Sequence, residues 1–137
     1  MSKTGKEKRL DEIYKEIRSL NPDHLADLNK MIRLYSQARI IIGHLDSEAL
    51  YDYGIAYSLR KKTQAEIKLN TNGTGVEKES TAEVETHELR LKEAEAQAES
   101  RKWKNLFDSF GDLIIALRRD ERTALEEYKN INDLVER

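Results

Sequence analysis

The chain has 137 residues, 38% of them apolar and 36% charged, and its net charge is −2 at pH 7. This size fits one helical core with extended arms, and the near balance of charges excludes a polycation, so any contact with nucleic acid must come from local patches. The absence of Cys excludes disulfide scaffolds, thiolate metal sites and thiol catalysis. No signal peptide and no membrane-spanning apolar run is visible, so we predict a soluble protein of the cytoplasm.

The first predicted element, over residues 1–20, is a basic N-terminal arm followed by a helix. With a single acid among the first nine residues, the local charge of the arm is 4 − 1 = +3. Apolar residues then recur at helical spacing up to Leu20. The basic residues of the arm are Lys3, Lys6, Lys8 and Arg9.

Residues 21–70 are predicted to form a helical core of two helices. Pro22 suits the first turn of a helix, and Gly43 suits a C-terminal cap, so the first of these helices spans about 22–42. The next helix continues to about Leu69 and contains a group of tyrosines beside the basic cluster Arg60, Lys61 and Lys62.

The remaining segments are a polar loop over 71–80, a long amphipathic helix over 81–119, and a C-terminal helix or tail over 120–137. Helix propensity is high throughout the second half of the chain. The acidic first part of the long helix is predicted to be an exposed arm. The sequence leaves open whether the last two segments form one continuous helix.

Within the long helix, one stretch has apolar residues at both positions that a coiled coil requires. This stripe is the predicted core or oligomer interface, and it indicates a helical bundle or hairpin that is coiled-coil-like and oligomeric. Gly111 within the same stretch favours close helix packing, because glycine costs about 1 kcal/mol relative to Ala in an isolated helix. The stripe consists of Trp103, Leu106, Phe107, Phe110, Leu113, Ile114 and Leu117.

The sequence contains no catalytic, metal or cofactor signature. The His residues stand in no metal-ligand spacing, and no nucleotide-binding or nucleophile motif occurs. The acids between Glu77 and Glu99 fall all round a polar helix, whereas paired catalytic carboxylates must converge in a pocket. We therefore predict no enzymatic activity, no metal and no cofactor.

Two basic clusters are candidates for DNA binding: the N-terminal arm residues Lys3, Lys6, Lys8 and Arg9, and the cluster Arg60, Lys61 and Lys62. A flexible basic arm can hold DNA electrostatically, and aromatic side chains beside cations can stack on bases. The alternatives are a solubilising tail, a solvated surface and buried tyrosines. For the tyrosines, burial is the favoured interpretation.

The order of these features resembles the small terminase subunits of tailed bacteriophages. The resemblance lies in the basic arm, the segment LNPDHLADLNKMIRLYSQARIIIGHL, the polar loop, the segment RKWKNLFDSFGDLIIAL and the charged residues that follow it. It implies an all-α, ring-forming, non-enzymatic subunit. Such a subunit binds double-stranded phage DNA and presents it to the large terminase subunit in the host cytoplasm. The alternative is a helical protein–protein interaction module without DNA binding, such as a regulatory coiled coil or an assembly chaperone.

Overall fold

The computed structural model describes residues 3–136, which form four α-helices and no strand. The helices are α1 (Gly5–Arg18), α2 (Leu25–Asn70), α3 (Gly75–Glu85) and α4 (His87–Val135). The predicted all-α fold with a long C-terminal helix is thereby confirmed. The first two residues of the predicted basic arm and the last residue of the predicted tail lie outside this description.

The described residues divide into two compact units. The first contains the residues up to His44 together with those from Asn105 onward, and the second is Leu45–Lys104. The described chain contains no helix that combines the length and apolarity needed to cross a membrane.

The first unit buries one face of each of its helices. Helix α1 contributes Leu10, Ile13 and Ile17, which recur at the helical spacing expected from the sequence. The cluster between α2 and α4 is closed by edge-on contacts of Tyr14 and Tyr35 with the ring of Phe110. The buried members of that cluster are Leu28, Ile32, Ile114 and Leu117.

The second unit combines the later part of α2, all of α3 and the beginning of α4. Thr74 caps α3 by accepting a 3.2 Å hydrogen bond from the Glu77 N–H, and the Glu77 carboxylate accepts from the Thr74 N–H in return. Thr86, which is fully buried, separates α3 from α4. Its carbonyl oxygen accepts the N–H of Arg90 and so begins the hydrogen-bond pattern of α4.

The predicted helix end at Gly43 is wrong, because α2 runs without interruption from Leu25 to Asn70. A Cβ atom on Gly43 would lie 3.2 Å from Cε2 of Phe107. This glycine therefore accommodates an aromatic ring that packs against the middle of the helix. A local sequence pattern cannot distinguish that role from a helix cap.

Three further boundaries differ from the predictions. The loop after α2 ends before Gly75, where α3 begins, so the predicted loop over 71–80 is too long. The predicted long helix from residue 81 is broken at Thr86. The segment predicted as an exposed arm is mostly exposed, but it buries Ala82 and Thr86 in the second unit. Helix α4 then continues through the charged segment 118–122 to Val135, which settles the open question about the last two segments.

Candidate functional site

The predicted basic arm is, from Gly5 onward, the N-terminal part of α1. Thr4 caps this helix by accepting a 3.2 Å hydrogen bond from the Glu7 N–H. Its basic side chains are exposed and differ in their partners. Lys3 Nζ lies 2.5 Å from a carboxylate oxygen of Asp11, and Arg9 lies 3.2 Å from Glu12. All four predicted DNA-binding residues of the arm are therefore brought together at one end of one helix.

The position of these cations is unfavourable for the helix itself. The N-terminus of a helix carries a partial positive charge, which favours acids in the first turn and disfavours bases. Glu7 follows this preference, whereas Lys6, Lys8 and Arg9 oppose it. Three positive side chains therefore lie close to the positive end of the helix dipole.

The second predicted cluster separates into one buried and two exposed cations. Arg60 is only 6% exposed, and it binds both carboxylate oxygens of Glu93 and donates a 3.0 Å hydrogen bond to Gln64. Arg60 therefore has a structural role in the second unit and does not present its charge at the surface. Lys61 and Lys62 are exposed.

A buried polar network surrounds Arg60. The Gln64 side-chain amide donates a 3.0 Å hydrogen bond to the Thr86 hydroxyl, which itself donates 2.6 Å to the carbonyl oxygen of Ala82. No buried side-chain nitrogen or oxygen among the described residues lacks a hydrogen-bond partner. Because every group is satisfied, the network fixes the helices α2, α3 and α4 of this unit in one register.

The charges of this network shift the pKa values of its acids. The hydrogen bond from Arg60 holds the pKa of Glu93 below its usual value, and the pKa of Arg60 is raised by the same hydrogen bond. The hydrogen bond from Arg90 lowers the pKa of Glu83. The sequence carried one signal for the burial of Arg60, since Tyr53 and Ile67 precede and follow it by seven residues on the same helix face.

The predicted apolar stripe of α4 packs within the chain. In the first unit, Ile114 and Leu117 are buried, and the remaining members are half-buried. Trp103 belongs to the second unit, where it is 7% exposed and donates a 2.8 Å hydrogen bond to Glu99. The stripe was predicted to be either core or oligomer interface, and its residues contribute to the core. An oligomer contact of the first unit would therefore use other residues.

An open groove of about 690 Å³ lies between α2 and α4 in the first unit. Arg39 closes one side of it, because its guanidinium occupies the space left by the missing side chain of Gly111. Ile40 and Ile115 are exposed in the groove, at 64% and 54%. No group of His, Cys, Asp or Glu within the described residues could hold a metal ion. The groove therefore presents apolar and charged side chains suited to a protein contact.

No protein-family model, no curated protein and no solved structure matches the chain.

Proposed function

We propose that the chain is a non-enzymatic DNA-binding adaptor that acts as a homo-oligomer. The sequence resemblance suggests a specific adaptor of this kind, a small terminase subunit. Such a subunit binds double-stranded phage DNA and presents it to the large terminase subunit. Basic residues that are held on a folded helix lose less conformational freedom on binding than those of a free arm. This favours α1 as the DNA-contacting element.

The observation that carries the proposal is the exposed cluster Lys3, Lys6, Lys8 and Arg9 at the N-terminal end of α1. Its charges lie near the positive end of the helix dipole, which disfavours them there, and a polyanionic partner would offset that repulsion. One such cluster binds weakly. Several copies in one homo-oligomer bind together through avidity, because the second contact on the same DNA is intramolecular.

The test is fluorescence anisotropy with a labelled DNA duplex over a range of salt concentrations. Replacement of all four basic residues of the cluster by Ala should reduce the slope of log K against log salt by up to about 3.6 per chain, because each phosphate contact contributes about 0.9. The matched control removes the same number of exposed charges elsewhere, by Lys15→Ala, Lys92→Ala, Lys104→Ala and Lys129→Ala.

The control variant should keep most of the affinity at low salt. Equal losses in the two variants would show that net charge alone is responsible and would remove α1 as the binding element. If the wild-type protein binds no DNA at low salt, the DNA-binding function is wrong.

A second candidate function, a helical protein–protein interaction module, is supported by a different observation. The last part of α4 exposes apolar side chains at helical spacing, which is unusual for a surface without a partner. These residues are Leu125, Tyr128, Ile131 and Leu134, which are 48–70% exposed. The absence of DNA binding together with a stable protein complex would favour this candidate.

A further inference from the structure

The exposed face of α4 in the first unit has an unusual order of charges around Ile115. Asp112 lies three residues before Ile115 and Asp108 seven before it, whereas Arg118 lies three residues after and Arg122 seven after. With 3.6 residues per turn, all five side chains fall within about 120° of arc on one face of the helix. The face is therefore acidic on one side of Ile115 and basic on the other, at equal separations.

This order makes the face complementary to itself in one orientation only. Suppose that two copies of α4 cross antiparallel at Ile115. A residue a given number of positions before Ile115 in one copy then lies level with the residue the same number of positions after Ile115 in the other copy. Asp112 then lies level with Arg118 of the second copy along the helix axis, and Asp108 lies level with Arg122. A parallel crossing would instead place each charge against its own like charge. A two-fold symmetric contact requires this kind of self-complementary surface.

The charged side chains of the face are available for such a contact. All four are exposed, and among the described residues none of them forms an ion pair within the chain. Other surface charges of the molecule do pair locally, as Lys30 does with Glu16 and Lys102 with Glu99. The four charges of this face are therefore open to a second copy.

Apolar side chains lie at the centre of the same face. Ile115 and Ile40, at the groove, are more than half exposed, although isoleucine is among the residues most often buried. In the antiparallel crossing the two copies of Ile115 meet at the symmetry axis with Ile40 beside them. The contact then has an apolar centre and a charged rim, which is the usual arrangement of protein interfaces.

We propose that this groove is the contact surface of an antiparallel homodimer, in which α4 of one copy crosses α4 of a second copy at Ile115. The proposal names the surface for the homo-oligomer part of the proposed function and does not rest on DNA binding. The basic end of α1 takes no part in the argument, so the two proposals can fail separately.

Charge reversal tests the surface, with the mass in solution measured by sedimentation velocity. The variant Asp108→Arg/Asp112→Arg makes the face wholly basic, and Arg118→Asp/Arg122→Asp makes it wholly acidic. Each variant alone should dissociate at least about 100-fold more readily than the wild type, because four attractive pairs become repulsive. Equimolar mixing of the two should restore a dimer, and so should all four reversals in one chain.

Only the antiparallel orientation predicts that reversal of all four charges in one chain restores the dimer. Reversal of all four charges restores every pair in an antiparallel dimer, whereas a parallel dimer would keep like charges opposed. The control is Glu88→Arg/Glu95→Arg, which also reverses two exposed acids, elsewhere on α4, and should leave the dimer intact.

Circular dichroism distinguishes dissociation from unfolding, since a dissociated variant keeps its helix content. A wild-type monomer at about 100 μM, where contacts of millimolar affinity remain dissociated, would overturn the proposal. It would also be overturned by an oligomer whose mass does not change in either half-reversed variant. DNA affinity of the monomeric variants, measured separately, tests the proposed function without affecting this result.

Discussion

The guanidinium of Arg39 lies 3.9 Å from the centroid of the Phe107 ring, and its Nε donates a 3.0 Å hydrogen bond to the Phe107 carbonyl oxygen. A glycine stands on each side of this pair. Phe107 packs on Gly43 of α2, and the Arg39 guanidinium packs on Gly111 of α4. The two glycines therefore lower the helix propensity of α2 and α4 in exchange for a close contact between them.

This arrangement predicts that the effect of Gly111→Ala changes sign with residue 39. In the wild type, the new Cβ would lie 2.8 Å from Nη2 of Arg39 and would displace the guanidinium. Loss of the charged hydrogen bond and of the contact with the ring outweighs the gain in helix propensity, so we expect destabilisation by about 1 kcal/mol. In an Arg39→Ala background the same substitution should stabilise by about 1 kcal/mol. Urea unfolding measures both values.

Gly54→Ala is the matched control for this prediction. Gly54 also lies inside α2, but a Cβ there would meet nothing within 4 Å. The substitution should stabilise the protein by about 1 kcal/mol through helix propensity alone. If Gly111→Ala has the same sign in both Arg39 backgrounds, the explanation of this glycine is wrong.

The sequence predicted those features of the fold that depend on neighbouring residues. The one-sided stripe Leu10, Ile13 and Ile17 predicted the buried face of α1 correctly, and the polar segment around Gly73 predicted a connection. Gly43 was misinterpreted because its reason lies in Phe107, which is 64 residues further along the chain. A local sequence pattern contains the glycine but gives no information about a distant aromatic ring that packs on it.

The candidate sites were predicted less completely, for a similar reason. A run of Arg and Lys indicates a charged surface, yet Arg60 lies on the core side of α2 and its carboxylate partner Glu93 comes from α4. Burial of such a pair is decided by the packing of three helices. Arg60 lies seven residues from both Tyr53 and Ile67, and this spacing was the available indication that it is buried. It was not used because a charged side chain is normally expected at the surface.

The cap of α3 provides a second prediction. Gly73 has φ of +133°, a conformation that side chains rarely adopt, and it precedes the capping residue Thr74. Gly73→Ala should destabilise α3 by about 1–2 kcal/mol, and Thr74→Ala by about 1 kcal/mol. Hydrogen exchange of the α3 amides measures this local stability. Gly75→Ala, where a Cβ meets nothing within 4 Å, is the control and should not accelerate exchange.

The buried hydroxyl of Thr86 provides a third prediction. Thr86→Val keeps the shape of the side chain but removes the acceptor of the 3.0 Å hydrogen bond from Gln64. We expect a loss of about 1–2 kcal/mol in the free energy of unfolding, because a buried donor loses its main partner. Thr86→Ser keeps the hydroxyl and should retain the coupling to Gln64. A double-mutant cycle with Gln64→Leu isolates that coupling, and additive losses would contradict it.

The ion pair between Arg60 and Glu93 predicts how stability depends on pH. The pKa of Glu93 in the folded protein is lowered from 4.5 by the hydrogen bond from Arg60. The folded state therefore binds this proton less readily than the unfolded state. The stabilisation that results is fully present above the unfolded pKa and is lost as the pH falls through the folded pKa.

Glu93→Gln should accordingly destabilise the protein by about 2–3 kcal/mol at pH 7, because it leaves the buried guanidinium of Arg60 without a counter-charge. The difference from the wild type should stay constant above about pH 5 and shrink below pH 4.5, where the unfolded carboxylate protonates. Denaturant unfolding at a series of pH values measures the difference. Glu95→Gln, on an exposed position of the same helix, is the control and should change stability by less than about 0.5 kcal/mol. A Glu93→Gln deficit that persists unchanged at pH 3 would show that the pair contributes through packing and not through charge.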